Sequence, residues 1–173
     1  MTGHTAVGDR VVLNVGFRAA RTRLHSLARG EMLQRASETA YGESVTTLAK
    51  LAGPTRLADV CLADLTEEED CVHIALQWDA IAADGTLFTA LLADLMLVPA
   101  GEQTSVLSLA GAYWPPPAPA NAELGSVAVR RCVMAVTATF LDSVACKLTS
   151  EASSSRSHRP AAACPTTKRG RQS

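Results

Sequence analysis

Few side chains in this sequence are equipped for chemistry, and their spacing decides whether they act together. His73 is the first, because an imidazole titrates near neutrality and serves as a general acid or base. It stands on an alternating stretch, "CVHIALQWDAI" (71–81), opposite the face that carries Val72, Ile74, Leu76 and Trp78. If that opposite face meets solvent, His73 is a polar strand residue. If the register turns it inward, it joins Tyr113 as a polar pair in the interior. Asp79 and Asp94 share no established face, so no pair of carboxylates is assigned, and Asp94 reads as an outward strand residue. His25 falls on a helix and reads as a surface or half-buried residue. The cysteines (Cys61, Cys71, Cys132, Cys146 and Cys164) are odd in number and contain no CxxC pair. They read as buried or incidental thiols of a reducing cytoplasm, with Cys61 and Cys71 the one candidate disulfide, and not as metal ligands. No glycine-rich phosphate loop, GxSxG or HExxH is present. The residues therefore assign no catalytic group, no metal and no cofactor.

The elements that must position these groups are legible from period. "TLFTALLADLMLVP" (86–99) is almost entirely apolar, but a membrane span needs about 20 such residues. This run has thirteen before Pro99 and holds a carboxylate. Asp84-Gly85 precedes it, and that dipeptide favours a type I′ hairpin turn. Period two continues on both sides: Leu87, Leu91, Leu95 and Leu97 share one face, and Phe88, Leu92, Asp94, Met96 and Val98 share the other. Both stretches are thus strands of one hairpin. "RLADVCLADL" (56–65) joins the first through "TEEED", read as a hairpin tip. "PAGEQT" (99–104) leads from the second to "SVLSLAGAY" (105–113), with Leu107, Leu109, Gly111 and Tyr113 on one face. The four form an antiparallel meander.

Upstream, "RVVLNVGF" (10–17) has strand character, followed by a helix at 18–29 with Leu24, Leu27, Ala28 and Leu33 as an apolar stripe. A second short helix is expected at 30–38, and Val45-Thr46-Thr47 tilt 44–53 towards strand. Gly53-Pro54 is a turn. "WPPPAPA" (114–120) ends the sheet, because proline cannot donate to a ladder. Beyond it Val129, Val133, Val136, Phe140, Val144 and Leu148 recur at spacings of three and four. With Asn121 as N-cap, this predicts roughly 28 helical residues, about 40 Å at 1.5 Å per residue. No run is read as reaching spanning length, and the N-terminus shows no secretory signal.

Composition sets the domain plan. Hydrophobic residues make up 47% and charged ones 19%, so the bulk is globular. A net charge of −1 gives no global reason to bind nucleic acid or an anionic membrane. Thirty alanines against seven aromatics leave a core of small side chains with room for unfilled space. Residues 1–9 are expected to be a flexible N-terminus, 10–149 one domain, and 150–173 a disordered basic tail rich in Ser and Pro.

A sheet with one apolar face and a long amphipathic helix must bury the two against each other, giving an α+β fold. This order resembles the helix-grip architecture of the SRPBCC (START/Bet v 1-like) superfamily, a curved antiparallel sheet wrapped around the C-terminal helix. Residues 76–117 ("LQWDAIAADGTLFTALLADLMLVPAGEQTSVLSLAGAYWPPP") and 127–148 ("VAVRRCVMAVTATFLDSVACKL") resemble uncharacterised actinobacterial members. The resemblance implies a cytoplasmic protein that binds a small hydrophobic ligand of lipid, polyketide or isoprenoid type, without integral membrane association. Its cavity would be lined by Ile74, Leu76, Trp78, Leu107, Leu109, Gly111, Tyr113, Val133, Val136, Phe140 and Val144. Two alternatives stay open. One is a cyclase- or dehydratase-like enzyme of the same fold, with His73 and Tyr113 as its polar groups. The other is a structural module whose interior is filled.

Overall fold

The computed structural model describes residues 4–52, 55–63, 65–82, 85, 87–114 and 123–154. Nine elements follow one another: β1 (Thr5–Leu13), α1 (Phe17–Arg29), α2 (Met32–Ala52), β2 (Thr55–Leu62), β3 (Thr66–Glu68), β4 (Cys71–Ala82), β5 (Leu87–Gly101), β6 (Thr104–Trp114) and α3 (Glu123–Ser154). The strands form one antiparallel sheet in the order β1-β6-β5-β4-β2, with the short β3 beside β4. β2, β4, β5 and β6 are the expected meander, and β1 closes its free edge. α3 runs closest to α2, β1 and β6, so the last helix lies in the concavity of the sheet. This is the helix-grip arrangement.

The pleat explains the sheet. Val72, Ile74, Leu76 and Trp78 are each at most 4% exposed, while His73 and Asp79 are half-buried and Gln77 is exposed. Leu91, Leu95 and Leu97 are buried beside them, and Leu92 and Asp94 point outward. Gly85 takes φ +84°, the left-handed region that glycine enters without cost, as the turn between β4 and β5 requires. That turn is longer than two residues, since pairing begins at Ile81↔Leu87. On α3, Val129, Val133, Val136, Phe140, Val144 and Leu148 are all buried, the stripe the period of 3.6 dictates.

Four expectations are corrected. β1 spans Thr5–Leu13 rather than 10–17, and residues 5–9 of the supposedly flexible N-terminus pair with β6 from Thr5↔Tyr113. Gly8 and Asp9, poor strand formers, hid this, because pairing along a whole neighbouring strand overrides local propensity. Second, 44–52 is helix, not strand. α2 continues through Val45-Thr46-Thr47 to Ala52, because the helix packs along α3 and its early turns bury Ala36, Ala40 and Tyr41. Third, "TEEED" is more than a hairpin tip. Thr66–Glu68 forms β3, turning back through Glu69-Asp70 so that Glu68 pairs with Cys71.

The fourth correction concerns length. Val129–Ser150 of α3 is long and apolar enough to cross a membrane, although no run was expected to reach that length. Half of that segment is buried within the protein, and its apolar stripe already has the sheet and α2 as partners. The helix also reaches Ser154, four residues past the expected start of the tail. Asp84, Gly53-Pro54, the prolines at 115–117, Asn121 and residues 155–173 lie outside the described residues.

Candidate functional site: the interior between sheet and C-terminal helix

Register arranges the inner face in cross-strand rows. Val72, Leu97 and Leu107 make one, and Ile74, Leu95 and Leu109 the next. Leu76, Ala93 and Gly111 make a third, and Trp78, Leu91 and Tyr113 a fourth. Two residues of the third row, Ala93 and Gly111, are small, and the strands approach closely there. A Cβ at Gly111 would run into the Leu92 carbonyl oxygen and lie 2.6 Å from the Ala93 Cα. Only glycine permits so close an approach of the two backbones. Gly111 therefore permits the close approach of β6 to β5, and the position a side chain would take is filled by strand β5.

The fourth row faces α3. Trp78 meets Phe140 edge to face, with centroids 5.1 Å apart and planes at 83°, one of the preferred aromatic geometries. Phe140 is fully buried and Trp78 is 4% exposed. Val133, Val136 and Val144 are buried on the same helix, and Tyr113, 2% exposed, is on the same side of the sheet. Ten of the eleven expected lining residues are thus buried; Gly111, half-buried, is set apart by its backbone contacts. The sequence reading missed the buried contributions of Val7, Leu13, Leu91, Ala93, Cys132, Leu141 and the helices before the sheet. Leu91 already stood on the right face. The rest depend on which elements meet, which no local period encodes.

Polar groups in this interior are few. Ser37 donates to the Leu33 carbonyl at 2.9 Å, Ser105 to Val15 at 2.9 Å and Thr137 to Met134 at 3.0 Å. These buried hydroxyls are satisfied by backbone. The indole Nε1 of Trp78 is different: it is buried and has no hydrogen-bond partner among the described residues. Burial also pushes the Cys132 thiol up from its ordinary range.

His73 does not join this group. It faces outward and is 39% exposed, and its Nε2 lies 2.9 Å from Asp94 Oδ1 on the neighbouring strand. Tyr113 faces inward, so His73 and Tyr113 stand on opposite sides of one sheet and cannot act on one substrate. Asp79 also faces outward, accepting a 3.1 Å hydrogen bond from Gln77 Nε2. Such exposed pairs contribute about 0–1 kcal/mol, against ~1.5–3 kcal/mol for each large apolar side chain buried opposite them. His25 is half-buried on α1 and forms an ion pair with Glu67 on β3. Cys61, Cys71, Cys132 and Cys146 are free thiols, and no cluster suited to a metal occurs among the described residues.

No family model matches the sequence, and no curated protein matches it. Among solved structures the chain is similar to the ZhuI aromatase/cyclase from Streptomyces sp. R1128, at 10% identity over 94% of this chain and 100% of that one, with a TM-score of 0.43. It is similar to norcoclaurine synthase from Thalictrum flavum, at 10% identity over 86% of this chain and 96% of that one, with a TM-score of 0.41. It is also similar to the di-domain aromatase/cyclase StfQ of the steffimycin biosynthetic pathway, at 12% identity and a TM-score of 0.40, covering 87% of this chain and 52% of that one.

Proposed function

We propose that this protein binds a small, mostly apolar molecule bearing a hydrogen-bond acceptor, held between the sheet and α3. The observation that carries this reading is the Trp78 indole N–H. Buried polar groups in folded proteins are nearly always paired, and each exception calls for a reason. Leaving such a donor unpaired costs about 1–3 kcal/mol, and here it lies in an interior with few other polar groups. Pockets for small molecules have this make-up, an apolar lining with a few polar groups that fix orientation. A carbonyl, ether or hydroxyl oxygen on the ligand would accept from Trp78, while Phe140, Leu91 and Val136 supply apolar contact.

The cyclase- or dehydratase-like alternative needs two converging polar groups. It loses one of them, because His73 points to the other side of the sheet. Binding without turnover is therefore the favoured reading.

Uptake of the neutral apolar dye Nile red by the folded chain tests the proposal. Saturable binding with quenching of Trp78 fluorescence is expected, weakened roughly tenfold in Trp78→Phe through loss of one hydrogen bond. Absence of saturable uptake, or equal affinity in Trp78→Phe, would overturn it.

A further inference from the structure

Towards the start of β4, away from Trp78, lies a cleft of about 480 Å³ that is open to solvent. Ile74 forms part of its floor, four residues from Trp78 and so roughly 13 Å away along the strand. Leu33, at the start of α2, joins Ile74, and both are at most 1% exposed, so the cleft reaches down to the core. Leu62, Leu65 and Ala28 supply apolar walls. A cleft of this size is in the range of small-molecule sites.

Its rim is charged in an uneven way. Glu67 on β3 is held by His25, which lines the cleft, and by Arg21 at 3.9 Å. The carboxylate is therefore already engaged, and these partners, the His25 hydrogen bond foremost, hold Glu67 below its ordinary range. Arg29, in the last turn of α1, also lines the cleft and is exposed. It has no ion-pair partner among the described residues, which leaves a cation at the mouth of an apolar hollow. A guanidinium presents a planar fork of donors that matches a carboxylate.

We infer that this cleft binds an apolar monocarboxylate, with its chain against Leu33, Leu62, Leu65 and Ile74 and its carboxylate on Arg29. The site is separate from the Trp78 interior and does not depend on it. Neutral molecules of the same length would gain the apolar contact and lack the anchor.

Titration of methyl-labelled full-length protein with octanoate tests this, with 1-octanol as the neutral control. Octanoate should shift the methyls of Leu33, Leu62, Leu65 and Ile74 saturably. Arg29→Gln, a change at an exposed position, should weaken octanoate roughly tenfold or more and leave 1-octanol unchanged. Arg29→Lys should recover part of the loss, and Ala28→Leu, which fills the hollow, should weaken both probes. The inference is overturned if octanoate shifts none of these methyls, or if Arg29→Gln binds it as tightly as wild type. Shifts at Val133, Val136 and Val144 in their place would also overturn it, by putting octanoate in the sheet–helix interior. Loss of Nile red binding at Trp78 leaves this result untouched, so the two sites fail or stand separately.

Discussion

β4 borders two kinds of surroundings, a packed interior and an open cleft. Around Trp78 the neighbours come from β4, β5, β6 and α3, and the described residues buried there carry no charge. Around Ile74 the space opens between α1, the start of α2 and the end of β2, and its rim carries His25 and Arg29. The first is set by repeating patterns within elements, the second by how distant elements meet. Substitutions at the Trp78 end should therefore change stability and apolar binding together. At the cleft they should change anion binding with little effect on stability.

The largest effect that sharpens this contrast is Phe140→Ala. Phe140 is fully buried against Trp78, so urea unfolding should show a loss of about 3–5 kcal/mol. A loss under about 1 kcal/mol would mean that Phe140 contributes little to packing α3 on the sheet.

Gly111→Ala comes next. One added carbon would meet the Leu92 carbonyl and Ala93, so a cost of about 1–3 kcal/mol is expected by the same measurement. An unchanged midpoint would show that β5 and β6 are not as close at Gly111 as the contacts indicate.

These two positions also show what was legible in the sequence. Phe140 belonged to a stripe of period 3.6, and Trp78 to a strand of period two, so both were assigned to the interior from pattern alone. Gly111 fell on the correct face for the same reason. Its role did not follow, because the clash that excludes a side chain comes from Leu92 and Ala93 on strand β5, far upstream in the chain. The first half of the chain was less legible. Val45-Thr46-Thr47 leaned towards strand, and only the packing of α2 along α3 makes them helical. Gly8 and Asp9 concealed the middle of β1, which the full-length pairing with β6 holds in place. The cleft was invisible for a further reason: residues 25–33 and 62–74 each look ordinary, and only their meeting leaves Arg29 above an apolar hollow. His73 was correctly assigned to the face opposite Trp78; the pleat removes it from any shared site with Tyr113.

Trp78→Phe is expected to cost less than either substitution above. It removes buried area but also removes an unpaired donor, so the two effects partly cancel, leaving about 1 kcal/mol or less. A loss of several kcal/mol in urea would show that the indole N–H has a partner important to folding.

The smallest effect belongs to the cleft rim. Glu67 is held below the ordinary glutamate value of 4.5, first by its hydrogen bond to His25 and then by the charges of His25 and Arg21. A carboxyl lowered on folding stabilises the protein above its unfolded value, and that contribution is lost as pH falls through the lowered one. Acid unfolding of Glu67→Gln should therefore show a shallower fall in stability below about pH 4.5 than wild type. Identical acid limbs would show that the His25–Glu67 pair does not hold α1 to β3.

The central claim is that the Trp78 N–H awaits an acceptor carried by an apolar ligand. The chain has only two tryptophans, so two indole N–H signals are expected in a nitrogen–proton correlation spectrum, and Trp78→Phe identifies one. Titration with 2-nonanone, an apolar ketone, should move the Trp78 signal downfield saturably and leave that of Trp114, on the outer face, in place. A Trp78 signal that stays fixed while the ketone binds, or a ketone that does not bind at all, would contradict the account.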